Sequence, residues 1–165
     1  MKESFIRGLF IKDLEKHADH RGCLMETFRI DELAEDVRPA MSYVTFTKFG
    51  YYRGPHVHYK RVELFAFPGP GTHRIIVWDG REESPTYHQK EIIIAGEDNP
   101  KLLVIYPGLV HVVEAIDPDK ESLLINHPTT LFKGWGRKED FTDEVKYEDD
   151  ESFYWREFVE MRENH

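Results

Sequence analysis

The sequence predicts an all-β domain, a sandwich or barrel of short strands, on three observations. About ten extended runs rich in Val, Ile, Phe and Tyr follow one another at near-regular spacing. Chemically clear turns separate them, among them Pro68-Gly69-Pro70-Gly71, Asp79-Gly80, Gly96–Pro100 and Asp117–Lys120. The 165 residues hold no internal repeat or low-complexity linker, so one domain spanning 1–165 is expected.

In chain order, Phe5–Ile11 and Cys23–Arg29 are the first two strands, and Ile30–Asp36 is a short helical turn. Met41–Lys48, Tyr51–His58, Glu63–Phe67 and Thr72–Trp78 follow, closed off by glycine and proline turns. His88–Ile94, Leu102–Tyr106, Val110–Ile116 and Ser122–Asn126 complete the set. The C-terminal segment changes period. After the acidic start Glu148–Glu151, residues Tyr154, Trp155, Phe158 and Met161 recur at helical spacing, with Arg156 and Arg162 late. Early acids and late bases complement a helix dipole, so a short C-terminal helix from Ser152 to Arg162 is expected against the sandwich.

Composition narrows the function classes. A net charge of −9 excludes a general role on nucleic acid or anionic membrane. An anionic small molecule stays compatible, provided arginines gather around it. Cys23 is alone, so no internal disulfide forms and a reducing compartment suits the chain. No stretch is long and apolar enough to cross a bilayer as a helix, and the first residues lack an apolar signal segment, so a cytoplasmic protein is expected.

The densest chemistry lies between Gly50 and Gly69. His56 and His58 stand at i and i+2, which on a strand points both rings to one face. Glu63 follows five residues later, and Pro107-Gly108-Leu109-Val110-His111 sets a third histidine at the start of another strand. His56, His58, His111 and Glu63 are a ligand set for one divalent metal ion, and zinc, manganese, iron or nickel would all suit it. The plain alternative is that these histidines line a polar cavity and hold no ion. The spacing G-x5-H-x-H-x4-E followed by P-G-x-x-H resembles the two motifs of the cupin barrel.

A closer resemblance covers residues 5 to 132. Asp19-His20-Arg21-Gly22-Cys23-Leu24-Met25-Glu26-Thr27-Phe28 is similar to the D-x-R-G-x-F-x-E-x-F run of the dTDP-4-dehydrorhamnose 3,5-epimerase superfamily. Gly50 to His56 resembles its G-x-x-R-G-x-H run, Asp79 to Thr86 its D-x-R-x-x-S-P-T element, and Pro107 to His111 its histidine turn, one residue tighter. The resemblance implies a cupin-type β-sandwich (jelly roll), a homodimer exchanging N-terminal strands, and epimerisation of a nucleotide-linked 4-keto-6-deoxy sugar. It makes His56 the base that removes the proton beside the keto group. Arg21 and Arg53 would hold the diphosphate, and Glu26 would help fix the nucleotide base. Arginine forks suit phosphate oxygens, and a strand-mounted imidazole suits proton abstraction.

Departures accompany the matches. The family's enolate-steadying lysine should fall near Glu63 or Leu64, and its acid tyrosine between Ile125 and Phe132; neither residue type stands there. The run from Arg53 to Phe65 also resembles the zinc-containing cupin domain of bifunctional capsule-sugar enzymes. A metal at Glu63 and the three histidines would restore the lost positive charge as a Lewis acid, with His56 then a ligand and not the base. Tyr106, His127 or His73 would be left as base. Two further classes stay open: a metal-dependent cupin such as an oxygenase or free-sugar isomerase, and a sugar-binding cupin without catalysis. Elsewhere the plain readings are a solvated turn at Lys60-Arg61, a solvated acidic face from Glu139 to Glu151, and surface histidines at His17, His20, His88 and His165. Tyr43, Tyr51 and Tyr52 either stack on a base or sugar or simply pack.

Overall fold

The computed structural model describes residues 1–139 and 143–147. Its strands are β1 (Lys2–Glu3), β2 (Leu9–Asp13), β3 (His17–Asp19), β4 (Gly22–Leu24), β5 (Tyr43–Thr47), β6 (Tyr52–His58), β7 (Glu63–Phe67), β8 (Thr72–Asp79), β9 (Lys90–Gly96), β10 (Lys101–Ile105), β11 (Leu109–Ala115), β12 (Ser122–Asn126) and β13 (Glu144–Lys146). They form a six-stranded sheet in the order β1-β2-β10-β7-β12-β5, a five-stranded sheet in the order β13-β6-β11-β8-β9, and the separate hairpin β3-β4. All these pairings are antiparallel.

The main core lies between the two large sheets. Leu9, Phe65, Phe67, Leu103, Ile105 and Leu124 face Ile75, Val77, Ile93, Ala95, Leu109 and Val113. Both sheets also bury part of their outer faces. Leu14, Val37, Met25, Phe28 and Leu33 cover Leu64, Ala66, Leu102 and Val104 on the six-stranded sheet. On the other sheet, Val57, Ile76, Trp78, Val110 and Val112 form their own cluster. Double-sided burial explains why β7 and β11 read as continuous apolar runs and not as strict alternation.

The matched element from Asp79 to Thr86 is a clip for the loop after β8. The Asp79 carboxylate, fully buried, accepts from Ser84 Oγ at 2.6 Å, Thr86 Oγ1 at 2.6 Å and Arg81 Nε at 2.7 Å. Burial pushes this carboxyl up, but the donors from Arg81, Ser84 and Thr86 outweigh it and hold it well below the usual range.

The expected strands from Tyr51 to Asn126 are present, with ends shifted by a residue or two. Cys23–Arg29 shortens to the end of an exposed hairpin, and Ile30–Asp36 reduces to a single 3₁₀ turn at Ile30–Glu32. The expected helix from Ser152 to Arg162 lies outside the described residues.

Candidate active site

The site begins with a strand irregularity. His56 pairs with His111 and Arg53 with Val113, so three steps along β6 oppose two along β11. That extra residue is a β-bulge. In a regular strand, residues three apart point to opposite faces; the bulge turns Arg53 and His56 to the same one. Gly54 makes it possible, with φ at +91° and no room for a side chain: a Cβ there would sit 2.5 Å from the His111 carbonyl oxygen. This is the physical content of the R-G-x-H run.

The face so formed lines a cavity of about 250 Å³ between the two sheets. Arg53, His56, His58, Glu144 and Lys146 wall it from the five-stranded sheet, and Tyr43, Thr45, Glu63 and Phe65 from the six-stranded one. Arg61, in the turn joining β6 to β7, lines it as well. The three imidazoles cluster. The His56 ring stands 4.3 Å from His111 and 5.5 Å from His58, centroid to centroid. His56 is the most open, its side chain 13% exposed against 3% for His58.

Around His58 the polar groups form a chain. Arg61 Nη2 lies 2.9 Å from His58 Nε2, and because a guanidinium only donates, that nitrogen accepts. The proton of His58 is then on Nδ1, which donates to Asp143 Oδ1 at 3.1 Å. The other Asp143 oxygen accepts the backbone N–H groups of Lys60 and Arg61 at 2.7 and 3.1 Å, fixing the turn that carries the guanidinium. Arg61 Nε stands 2.5 Å from Glu63 Oε1, an ion-pair contact without hydrogen-bond alignment. Asn126 donates to Glu63 Oε2 and, at 2.7 Å, to the Tyr43 hydroxyl. His111 donates from Nδ1 to the Leu109 carbonyl at 3.1 Å, leaving Nε2 buried without a partner among the described residues.

Burial sets the protonation states. His58 is brought down to about 4 and His111 to about 3, both mainly by desolvation, with Arg61 adding repulsion. His56 falls well below its ordinary value by desolvation and by the neighbouring His111 and His58. All three rings are neutral at physiological pH, so His56 presents a free lone pair. Glu63 moves the other way, raised by burial against the pull of Arg61.

A family model described as dTDP-4-dehydrorhamnose 3,5-epimerase matches residues 3–129. The chain belongs to that family. The family is one of sugar-nucleotide epimerases, which makes this chain an isomerase-type enzyme. The chain is 36% identical over 128 residues to the probable low-salt glycan biosynthesis epimerase Agl13 of Haloferax volcanii, covering 77% of this chain and 81% of that protein. It is 36% identical over 107 residues to the spore coat polysaccharide biosynthesis protein SpsL of Bacillus subtilis, covering 64% and 69%. Among solved structures, a dTDP sugar isomerase from Desulfovibrio desulfuricans superposes with a TM-score of 0.77 over 90% of this chain and 88% of that one, at 22% identity. ChmJ, a 3'-monoepimerase from Streptomyces bikiniensis in complex with dTDP-quinovose, gives 0.74 over 88% and 72%, at 19% identity. The architecture is that of a cupin β-sandwich.

Of the residues singled out in the sequence, Arg53, His56, His58, Glu63 and His111 come together in this epimerase fold. Arg21 and Glu26 do not join them. Arg21 is exposed on the β3-β4 hairpin, paired with Asp19 at 2.5 Å, and Glu26 engages Arg29 at 3.2 Å. Two plain readings are corrected. Lys60-Arg61 is not wholly a solvated turn, because Arg61 is buried at 8% exposure. Within the acidic run, Asp143 reaches His58 and Glu144 lines the cavity. Periodicity carries no information on a turn side chain, so the role of Arg61 had no local signal.

A four-ligand metal centre does not fit this arrangement. His56, His58 and His111 offer ligand atoms within 4.8 Å of one another, and the orphaned Nε2 of His111 suits an ion. Glu63, however, is held by Arg61 and Asn126, and the Arg61 guanidinium takes the lone pair of His58 that an ion would need. A cation beside that nitrogen repels a second one.

Proposed function

We propose that this enzyme epimerises a nucleotide-linked 4-keto-6-deoxy sugar by removing and returning a proton beside the carbonyl, with His56 as the base. The observation that carries the reading is the bulge of β6, which presents a neutral imidazole and a guanidinium side by side on one cavity wall. Arg53 is the diphosphate clamp: its guanidinium is exposed and, among the described residues, tied only by long contacts, 3.3 Å to Thr47 Oγ1 and 3.4 Å to the Phe46 carbonyl. It is free to exchange these for phosphate oxygens, which match its fork. The neutral His56 accepts the proton from carbon, and the oxygen of the sugar carbonyl takes up the charge.

The working unit in this reading is a homodimer. Arg21 and Glu26 lie outside the cavity of their own chain, on or near a hairpin exposed along its whole length. A second copy supplies them to the cavity. The exposed apolar residues Val44, Phe46 and Phe49 beside the cavity edge suit such an interface. The site works without a metal ion in this reading, since Arg61 already supplies a cation next to His58.

The test is exchange of substrate protons. With dTDP-4-keto-6-deoxyglucose in deuterated water, the wild type exchanges hydrogen at a carbon flanking the keto group, and His56→Asn loses this by about 10²–10⁴-fold. Tight binding with no exchange by the wild type would favour the sugar-binding alternative.

A further inference from the structure

We propose that Arg61 is the resident cation of this site: it stands where the histidine cluster would otherwise complete a metal centre, and it receives the charge that develops on the substrate oxygen. The inference rests on the carbonyl chemistry proposed above and names the group that chemistry lacks. Removal of a proton beside a ketone breaks the C–H bond and sends the proton to His56. The electron pair becomes a C=C bond, and the carbonyl π pair moves onto oxygen. That oxyanion needs a positive or hydrogen-bonding partner placed in advance. Glu63, a buried carboxylate on the cavity wall, would repel it.

Arg61 meets the requirement by position. It lines the same cavity as His56 and is buried, so its charge acts where water screens it little. Nε against Glu63 cancels the carboxylate that would oppose the oxyanion. Nη2 is spent on His58, whose tautomer Asp143 fixes from the far side. Nη1 has no acceptor among the described residues, which leaves one arm of the fork for the substrate. A guanidinium does not surrender its proton, so Arg61 stabilises the oxyanion by hydrogen bonding and leaves proton transfer to His56. The turn that presents it is braced by the two backbone bonds to Asp143.

The metal side of the proposal is tested without any substrate. Chelator-treated protein is titrated with cobalt(II) and followed by visible absorption. Wild type should show no stoichiometric histidine–cobalt band. Arg61→Met combined with Glu63→Gln, which removes both charges of that ion pair together and so leaves neither one buried alone, should gain one equivalent through the freed His58. A further His111→Ala should abolish it. On the activity side, Arg61→Met should lower kcat for proton exchange by about 10²–10³-fold with a small change in KM, and Arg61→Lys should recover part of it. One equivalent of cobalt bound by wild type through these histidines, or full kcat in both Arg61→Met and the double variant, overturns the proposal. Loss of the base reading has a different signature: His56→Asn would then stay active while Arg61→Met does not.

Discussion

Arg53 and His56 line the same cavity wall because a single glycine lets them share a face. A side chain on Gly54 would meet the His111 carbonyl at 2.5 Å in a backbone conformation of φ +91°. Gly54→Ala should therefore cost at least about 2 kcal/mol, through strain and clash together, and read out as a lower urea midpoint. An unchanged midpoint would mean the bulge relaxes at no cost. His73 tests burial in the same way. It is fully buried beside Phe67, both ring nitrogens lack partners among the described residues, and desolvation, aided by Arg53, brings it down to about 4. A histidine whose folded pKa lies below its unfolded 6.5 leaves the folded state with fewer protons between the two values. Stability then falls as pH drops from 6.5 towards 4, by about 1 kcal/mol per pH unit. His73→Leu should make the fall in melting temperature between about pH 7 and pH 5 shallower by this one group's share, the buried His58 and His111 still contributing, and leave pH 8 little changed.

At the scale of elements, the strands β6, β7 and β11 were legible from the sequence because turn chemistry bounds them and the H-x-H period sets one face. The pairing of His56 with His58 followed from that period, and His111 joined them through the resemblance of its turn to the second cupin motif. Two pieces were not legible. The strand β13 has three residues inside an acidic run, and it pairs with β6 opposite His56 and His58, a tertiary contact that local sequence does not signal. Arg61 occupies a turn, where tertiary contacts decide whether a charge faces water or a cavity; here Glu63 and His58 draw it in. The cation missing near Glu63 is thus present two residues earlier, on the turn and not on the strand.

For the whole molecule, the two sheets enclose a cavity to which its own chain brings His56, Arg53 and Arg61, while Arg21, on the exposed hairpin, does not line it. In the proposed dimer each site draws on both copies. Arg21→Ala and His56→Asn should each be nearly inactive alone. Mixed and allowed to exchange subunits, they should recover up to about a quarter of wild-type activity, the share expected when half the subunits pair with the other variant and one of their two sites is intact. No recovery on mixing, with dimers confirmed by light scattering, would place Arg21 outside the site. The solved structures of the family share the architecture, but at 19–22% identity they speak for the fold and not for this cavity's chemistry.

The most direct measurement is proton NMR of dTDP-4-keto-6-deoxyglucose in deuterated water with catalytic amounts of wild type and of His56→Asn. Hydrogen beside the keto group should wash out with the wild type and persist with the variant, both proteins being folded and binding the nucleotide sugar alike. Equal washout by the two would contradict His56 as the base.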